Sequence, residues 1–444
     1  MNATSPDMLP VPDFGARRRA ALARLGGGVI LLGAAPLQYA SRDTEHAYVA
    51  DRELYWLTGL TEPGTVAVLT GGEDARLVVF ARERDAEAEL WAGPRLGPEG
   101  AGALSGADEA FALADLDRRL PELLRSADRI HYRFGRGDTL EEQVLAALHH
   151  ARARGARSGT GPRGVVDPGE ILDELRLVKD AAELAAIRRA CALTVEGHRR
   201  AAAAIGPGAG EWEIEAELEA AFRRGGATRP GFDSIVAGGA NACVLHYVDN
   251  ADRVPDGGLV LIDAGAELAF YHGDVTRTWP ASGSFAPAQR DVYQLVQSAL
   301  LAGVEAVRPG AAVDAVHDAV VRVLTRGLVD LGVLAGDVDG LLEAGAHKSF
   351  FPHQTSHWLG LDVHDPGDYV QDGASRALVP GMVLTVEPGL YFRPGLAEGV
   401  PEELVGTGVR VEDDVAVTPT GHEVLTAALP TEISAVEALV GARS

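Results

Sequence analysis

Residues 259–280 read LVLIDAGAELAFYHGDVTRTWP, and the parsing of this stretch decides the architecture. The apolar run Leu259–Ile262 predicts a strand that delivers Asp263 and then Gly265. After a turn, Gly273-Asp274-Val-Thr-Arg-Thr-Trp279 predicts a second strand, with a second acid eleven residues after the first. Strands joined this closely are expected to be neighbours, which sets two acids side by side.

Two later runs follow the same pattern. Met382-Val-Leu-Thr-Val386 delivers Glu387 ahead of Pro388-Gly389. Val409–Val417 alternates with period two, so Val409, Val411, Asp413, Val415 and Val417 are expected on one face and Arg410, Glu412 and Asp414 on the other. Between these runs Phe350–His364 (FFPHQTSHWLGLDVH) clusters His353, His357 and His364. Burying a single unpartnered carboxylate costs several kcal/mol, and four together repel each other. Asp263, Asp274, Glu387 and Glu412 therefore call for cationic compensation, which two divalent ions about 3.5–4 Å apart would supply, with one imidazole completing the set. Each residue also has a plainer reading. Asp263 can be a turn former, Asp274 can pair with Arg277 and Glu412 with Arg410 at the surface, and the histidines can be core groups. The joint placement at strand ends, where α/β sites are commonly built, favours the metal.

The rest of the 444-residue chain sets limits on that reading. Its length predicts two or three compact domains, and 46% hydrophobic with 23% charged residues marks a globular chain. Forty basic against 64 acidic residues give a net charge of −24, which argues against nucleic-acid and membrane-surface partners. Lys179 and Lys348 are the only lysines, so almost every cation is arginine. Cys191 and Cys243 are too few for a disulfide framework and are expected to be free thiols in a reducing, cytoplasmic setting. Arg17-Arg18-Arg19 ahead of Gly26–Ala35 mimics a secretory leader, but Gly28–Leu32 reads better as a buried strand after an amphipathic helix.

Residues 1–15 carry three prolines and are expected to form an arm, followed by a mixed α/β domain over 16–168. Within it Val66–Leu69 and Leu77–Phe80 predict a strand pair, Leu140–Ala153 predicts a helix, and Gly155–Gly164 reads as a linker. Asp180 and Glu183 form a capping-box pattern that opens a long helix in a second domain, 169–444. There a Pro-Gly helix entry at 204–210 recurs at 306–312, which fits two similar halves.

The order DAG (263–265), GDVTRTWP (273–280), HQTSHWLGLDVHD (353–365), TVEPGLYF (385–392) and GVRVEDD (408–414) closely resembles the metal-dependent Xaa-Pro aminopeptidases of the pita-bread metallopeptidase family. Tyr55–Pro63 and Leu90–Gly97 resemble that family's N-terminal domain, so the likeness spans roughly residues 15–440. The resemblance implies an α/β (α+β) protein, with an N-terminal mixed domain and a C-terminal pita-bread domain of two halves. It implies two Mn²⁺ ions, with Co²⁺ or Zn²⁺ as substitutes. Asp274 and Glu412 bridge them, Asp263 chelates one, and His357 with Glu387 holds the other. It further implies a hydroxide shared by both ions as nucleophile, Glu387 as proton shuttle, and His246 and His364 on the scissile carbonyl. His353, Arg410 and Tyr391 line the proline pocket, and Trp91 and Asp43 reach a neighbouring subunit of a homo-oligomer, dimer or tetramer. Core packing for Trp91 and helix capping for Asp43 stay open beside that reading. The expected activity is release of the N-terminal residue from peptides with proline second. The alternatives are an Xaa-Pro dipeptidase on the same fold, with Arg410 clamping the substrate carboxylate, and a non-catalytic peptide-binding module. Gln354-Thr355 departs from the smaller residues of many relatives at the pocket rim, and His272 is read as a loop histidine outside the ligand set.

Overall fold

The computed structural model describes residues 9–136, 140–395 and 399–442, which form two compact units that meet in the chain at Arg176 and Leu177. The first is built on a six-stranded sheet in the order Glu109–Ala112, Arg76–Ala81, Val66–Thr70, Val29–Gly33, Ile130–His131, Val165–Val166. Val66–Thr70 pairs antiparallel with Arg76–Ala81, as the turn between them predicts. Leu116, Leu120 and Leu124, spaced one helical turn apart, pack with Val144 against Val29, Val68 and Val78.

Two expectations change in this unit. The first helix, Phe14–Leu25, is capped by Asp13 and takes up the last two residues of the expected arm. The Gly155–Gly164 passage is no interdomain linker, because the helix Leu140–Ser158 runs into it and the Gly164 carbonyl accepts the Ile130 N–H at 3.1 Å. Glycine and arginine hid the apolar period there, while the backbone bonds that continue the helix require no particular side chain. The helix Gly169–Arg176 closes this unit.

The second unit repeats a module. Helices Ala181–Ala204 and Glu211–Arg224 precede an antiparallel sheet ordered Ile235–Gly238, Leu259–Ala264, Val275–Pro280. Helices Pro287–Ala306 and Asp314–Asp330 precede another, ordered Val383–Val386, Asp413–Thr418, Gly421–Val424. The Asp180–Glu183 capping box opens the first helix, and the two Pro-Gly entries precede corresponding helices. One apolar core spans both modules, from Leu193 and Phe222 to Val386 and Val415. Gly265 and Gly273 explain the spacing of the opening stretch. A side chain on Gly265 would collide with the Gly273 carbonyl, and one on Gly273 with the helix backbone at Cys191.

The alternating run Val409–Val417 is not one strand. Gly408–Arg410 pairs with Gly389–Tyr391, Asp413–Thr418 pairs with Val383–Val386, and the chain changes partner at Val411–Glu412. Both faces are buried, so alternation could not reveal the break. His272 also departs from expectation. It lies in the short strand Tyr271–His272, buried, with Nε2 3.4 Å from Glu267. Both cysteines are free and buried, and among the described residues no helix is long and apolar enough to cross a membrane.

Candidate metal centre

Each module contributes two of the four acids, one from its central strand or the residue before it and one beside an edge strand. Asp263 lies in the central strand of the first sheet, opposite Thr276, and Asp274 immediately precedes its edge strand. Glu387 immediately follows the edge strand Val383–Val386, and Glu412 immediately precedes the central strand Asp413–Thr418. His357 joins them from the irregular segment before the second sheet. Its backbone N–H donates to Thr385 Oγ1 at 3.1 Å, and its carbonyl accepts the Thr385 N–H at 3.0 Å.

Asp274, His357 and Glu412 offer ligand atoms that all lie within 4.8 Å of one another. His357 Nε2 is 3.3 Å from Asp274 Oδ2 and 3.7 Å from Glu387 Oε1. Its Nδ1 faces the Trp358 carbonyl at 3.1 Å, so that nitrogen carries a proton and Nε2 is the nitrogen turned toward the acids, the one a cation would take in place of a proton. Asp263 Oδ1 and Asp274 Oδ1 are buried with no hydrogen-bond partner. Buried carboxylate oxygens rarely stay orphaned, and a cation fits that demand.

Charge points the same way. Burial pushes Asp263 up to about 6, with Arg410 pulling back, and pushes Glu387 up to about 7. Burial and then the carboxylates of Asp274, Glu387 and Asp263 drive Glu412 well above the usual range. Burial disfavours a charged His357, yet the hydrogen bond to Asp274 and the charges of Glu387 and Asp274 prevail and raise it to about 9. Without added cations the cluster can relieve its repulsion only by holding protons. A pair of divalent ions removes that need, and an oxygen-rich set with one imidazole and no thiolate suits hard or borderline ions.

These residues line a cavity of about 410 Å³ together with His246, His353, His364 and Arg410. Arg410 is buried and engaged on three sides. Nε donates to Thr276 Oγ1 at 3.0 Å, one terminal nitrogen to Tyr391 at 2.8 Å, and the other to Asp263 Oδ2 at 2.5 Å. The Tyr391 hydroxyl in turn lies 2.9 Å from His353 Nε2, and His353 Nδ1 lies 2.8 Å from the Gln354 carbonyl. That order of donors fixes a neutral His353, and burial, then the Arg410 charge, hold its imidazole down at about 3. His364 stacks edge-on against His357 at 4.5 Å, and His246 sits exposed at the rim. Gln354 lines the cavity, whereas Thr355 turns away and bonds His317 Nδ1 at 2.8 Å.

The plainer pairings do not occur. Arg277 bonds Asp413 at 2.7 Å, not Asp274, and Glu412 accepts from Thr276 Oγ1 at 2.6 Å, not from Arg410. Trp91 and Asp43 belong to the N-terminal unit, where Trp91 is 84% exposed and Asp43 lies outside any helix start, so neither core packing nor capping accounts for them. Sequence reasoning missed Thr276, which links Arg410 to Glu412, although period two from Asp274 places it on the same face. It also passed over Phe232, Asp233 and Val363, which line the cavity. A larger cavity of about 640 Å³ between helices Leu116–Arg125 and Leu140–Ser158 contains no metal-ligating cluster among the described residues.

Comparison with known proteins gives this geometry a context. Residues 185–419 match the model of metallopeptidase family M24, and residues 14–131 match that of the aminopeptidase P N-terminal domain. The chain is 42% identical over 431 residues to the Xaa-Pro aminopeptidase of Escherichia coli K12, covering 96% of this chain and 97% of that one. It is 38% identical over 437 residues to the Xaa-Pro aminopeptidase of Haemophilus influenzae, covering 97% and 98%. Among solved structures, Pseudomonas aeruginosa aminopeptidase PepP superposes with a TM-score of 0.93 at 43% identity, over 97% of this chain and 98% of that one. Zn-substituted E. coli aminopeptidase P in complex with product superposes with a TM-score of 0.91 at 41% identity, over 97% and 99%.

Proposed function

This chain belongs to metallopeptidase family M24, and from that premise we propose that it is an Xaa-Pro aminopeptidase, releasing the N-terminal residue from peptides with proline second. The observation that carries the reading is the convergence of four carboxylates and one imidazole on a cavity, with two buried carboxylate oxygens left unpartnered. In this reading Asp263, Asp274, His357, Glu387 and Glu412 would together hold two divalent cations. Mn²⁺ is the first choice, and Co²⁺ or Zn²⁺ also suit the donor set. The bound pair supplies Lewis acidity and makes a water molecule acidic enough to deprotonate near neutral pH.

The chain's own residues do the remainder. Glu387 reaches the cavity with one oxygen toward His357 and the other 3.5 Å from His353 Nδ1, the placement of a group that takes a proton and returns it to the leaving nitrogen. His246 and His364 steady the carbonyl oxygen as charge develops on it. His353, Tyr391 and Arg410 form a pre-bonded wall for the proline ring, which offers no N–H to recognise and must be selected by shape. Because all three faces of the Arg410 guanidinium are engaged, it is poorly available to clamp the free carboxylate that a dipeptide would present. That weighs against the dipeptidase alternative. Trp91, exposed beside an equally exposed Leu90, and Asp43 are assigned to contact with a neighbouring copy's active site in a homo-oligomer, dimer or tetramer, and the working location is the cytoplasm.

A panel of Xaa-Pro tripeptides, the matching dipeptides and Xaa-Ala controls tests this, each with Mn²⁺ and with chelator. Metal-dependent cleavage of the tripeptides is expected. Turnover confined to the dipeptides, or insensitive to chelator, would overturn the assignment.

A further inference from the structure

His246 lies on a segment, 239–252, whose regular structure is limited to the single 3₁₀ turn Gly239–Cys243. A catalytic side chain on such a segment is useful only if something fixes it, since ordering a residue costs about 1–2 kcal/mol of backbone entropy. The first residue of the helix Glu211–Arg224 meets that need. Glu211 is 0% exposed and accepts four hydrogen bonds. Oε1 takes the Gly238 N–H at 2.7 Å and Asn241 Nδ2 at 3.1 Å. Oε2 takes the Tyr247 hydroxyl at 2.8 Å and the Asp252 N–H at 2.8 Å. One carboxylate thus holds both ends of the segment and the side chain next to His246. Asn241 also donates to Asp252 Oδ2 at 2.9 Å, and Asn250, at φ 44°, bonds Ser234, Glu215 and Val236.

We propose that Glu211 is a positioning residue for the reaction, holding His246 at the cavity rim through the Gly238–Asp252 clasp without touching metal or substrate. Burial and then the hydrogen bond to Glu211 push the Tyr247 phenol up to about 12, so it remains the donor at any working pH. A glutamine at 211 offers one acceptor oxygen and one donor nitrogen where four donors converge, so two of the four bonds lose their acceptor. The inference rests on the carbonyl-binding role given to His246.

The test compares Mn²⁺-loaded wild type, Glu211→Gln, Tyr247→Phe, His246→Ala and the double variant Glu211→Gln/His246→Ala on one Xaa-Pro tripeptide, with bound metal and melting temperature measured alongside. Glu211→Gln is expected to lower kcat about tenfold with KM changed less than about twofold and bound metal unchanged, because misorientation of this kind acts on the reacting geometry. Tyr247→Phe, which removes one bond and leaves the helix end intact, is expected to show a smaller loss in the same direction. In the His246→Ala background Glu211→Gln should add less than about twofold, which a general structural role would not produce. Losses that multiply in the double variant, or metal lost in step with kcat, would overturn the proposal while leaving the His246 assignment standing. An inert His246→Ala would instead remove that assignment and the proposal with it.

Discussion

In the N-terminal unit Asp51, Glu53, Asp167 and Asp173 gather around Arg133 and Arg136. In the C-terminal unit Arg410 pairs with Asp263 and His357 with Asp274 and Glu387, while Glu412 accepts from Thr276. Arg133 lies 2.9 Å from Glu53, 3.0 Å from Asp167 and 3.5 Å from Asp173, and Arg136 bonds both Asp51 and Glu53. Burial lifts Glu53 only to about 6, with Arg133 and Arg176 pulling it back, so it is ionised at neutral pH. Glu412 is also driven well above the usual range, and the charges that act on it after burial are those of Asp274, Glu387 and Asp263 rather than of arginines. Each cluster gathers four acids, but in the first only Asp51 and Glu53 are buried and Asp167 is exposed. In the first, solvent shares the charge of Asp167 and in part of Asp173, whereas in the second the acids face one another around a cavity, which marks it as a place built for a ligand rather than for stability.

The largest effect that tests this contrast is Glu412→Gln. It is expected to lower activity by at least about 10³-fold and to reduce bound metal, since it removes one of the anionic groups proposed to hold the metal. Folding of the chelated protein should not suffer, because a neutral amide replaces a carboxylate that the fold already drives toward its protonated form. If the chelated variant melts well below chelated wild type, Glu412 is a structural group and the contrast between the clusters is wrong.

A smaller effect separates pairing from location. Lys179, one of two lysines in the chain, bonds Asp365 at 2.9 Å in the C-terminal unit, with both side chains 1% exposed. This pair is neutralised internally although it lies in the same unit as the metal centre, one residue from His364. Lys179→Met leaves a buried carboxylate without its cation and is expected to cost about 3–5 kcal/mol, with much of it recovered in Lys179→Met/Asp365→Asn. Equal denaturant midpoints for wild type and the single variant would show that the pair is not the anchor its geometry indicates.

The same distinction governs what the sequence discloses. Asp263, Asp274, Glu387 and Glu412 are legible because each stands at or beside the end of an apolar run, where placement follows from the local pattern. The Lys179–Asp365 and Arg277–Asp413 pairs are not, since their members lie 186 and 136 residues apart and nothing near either names its partner. Glu211 was passed over for the same reason: it reads as an ordinary acid in a first helical turn, and its four donors appear only when the chain returns to it. The break at Val411–Glu412 is hidden because a strand buried on both faces looks continuous.

The smallest effect concerns how complete the internal neutralisation in the N-terminal unit is. Because Glu53 is raised to about 6 in the fold, the folded state holds its proton more tightly than the unfolded chain does. Stability from this group is therefore fully present below the unfolded value of about 4.3 and is lost as pH rises to about 6. Glu53→Gln cannot titrate and should remove that decline. At pH 7 it gives up the bonds to Arg133 and Arg136 but relieves the burial of a charge, and these nearly cancel to within about 1 kcal/mol. Hydrogen exchange at the amides of Val29–Gly33 and Val66–Thr70, measured between pH 4 and 7 and corrected for intrinsic rates, reads the opening of this unit directly. Should the variant lose several kcal/mol at pH 7, the arginines hold this acid more strongly than its burial opposes it. The contrast with the metal centre would then be sharper than the position of Glu53 alone indicates.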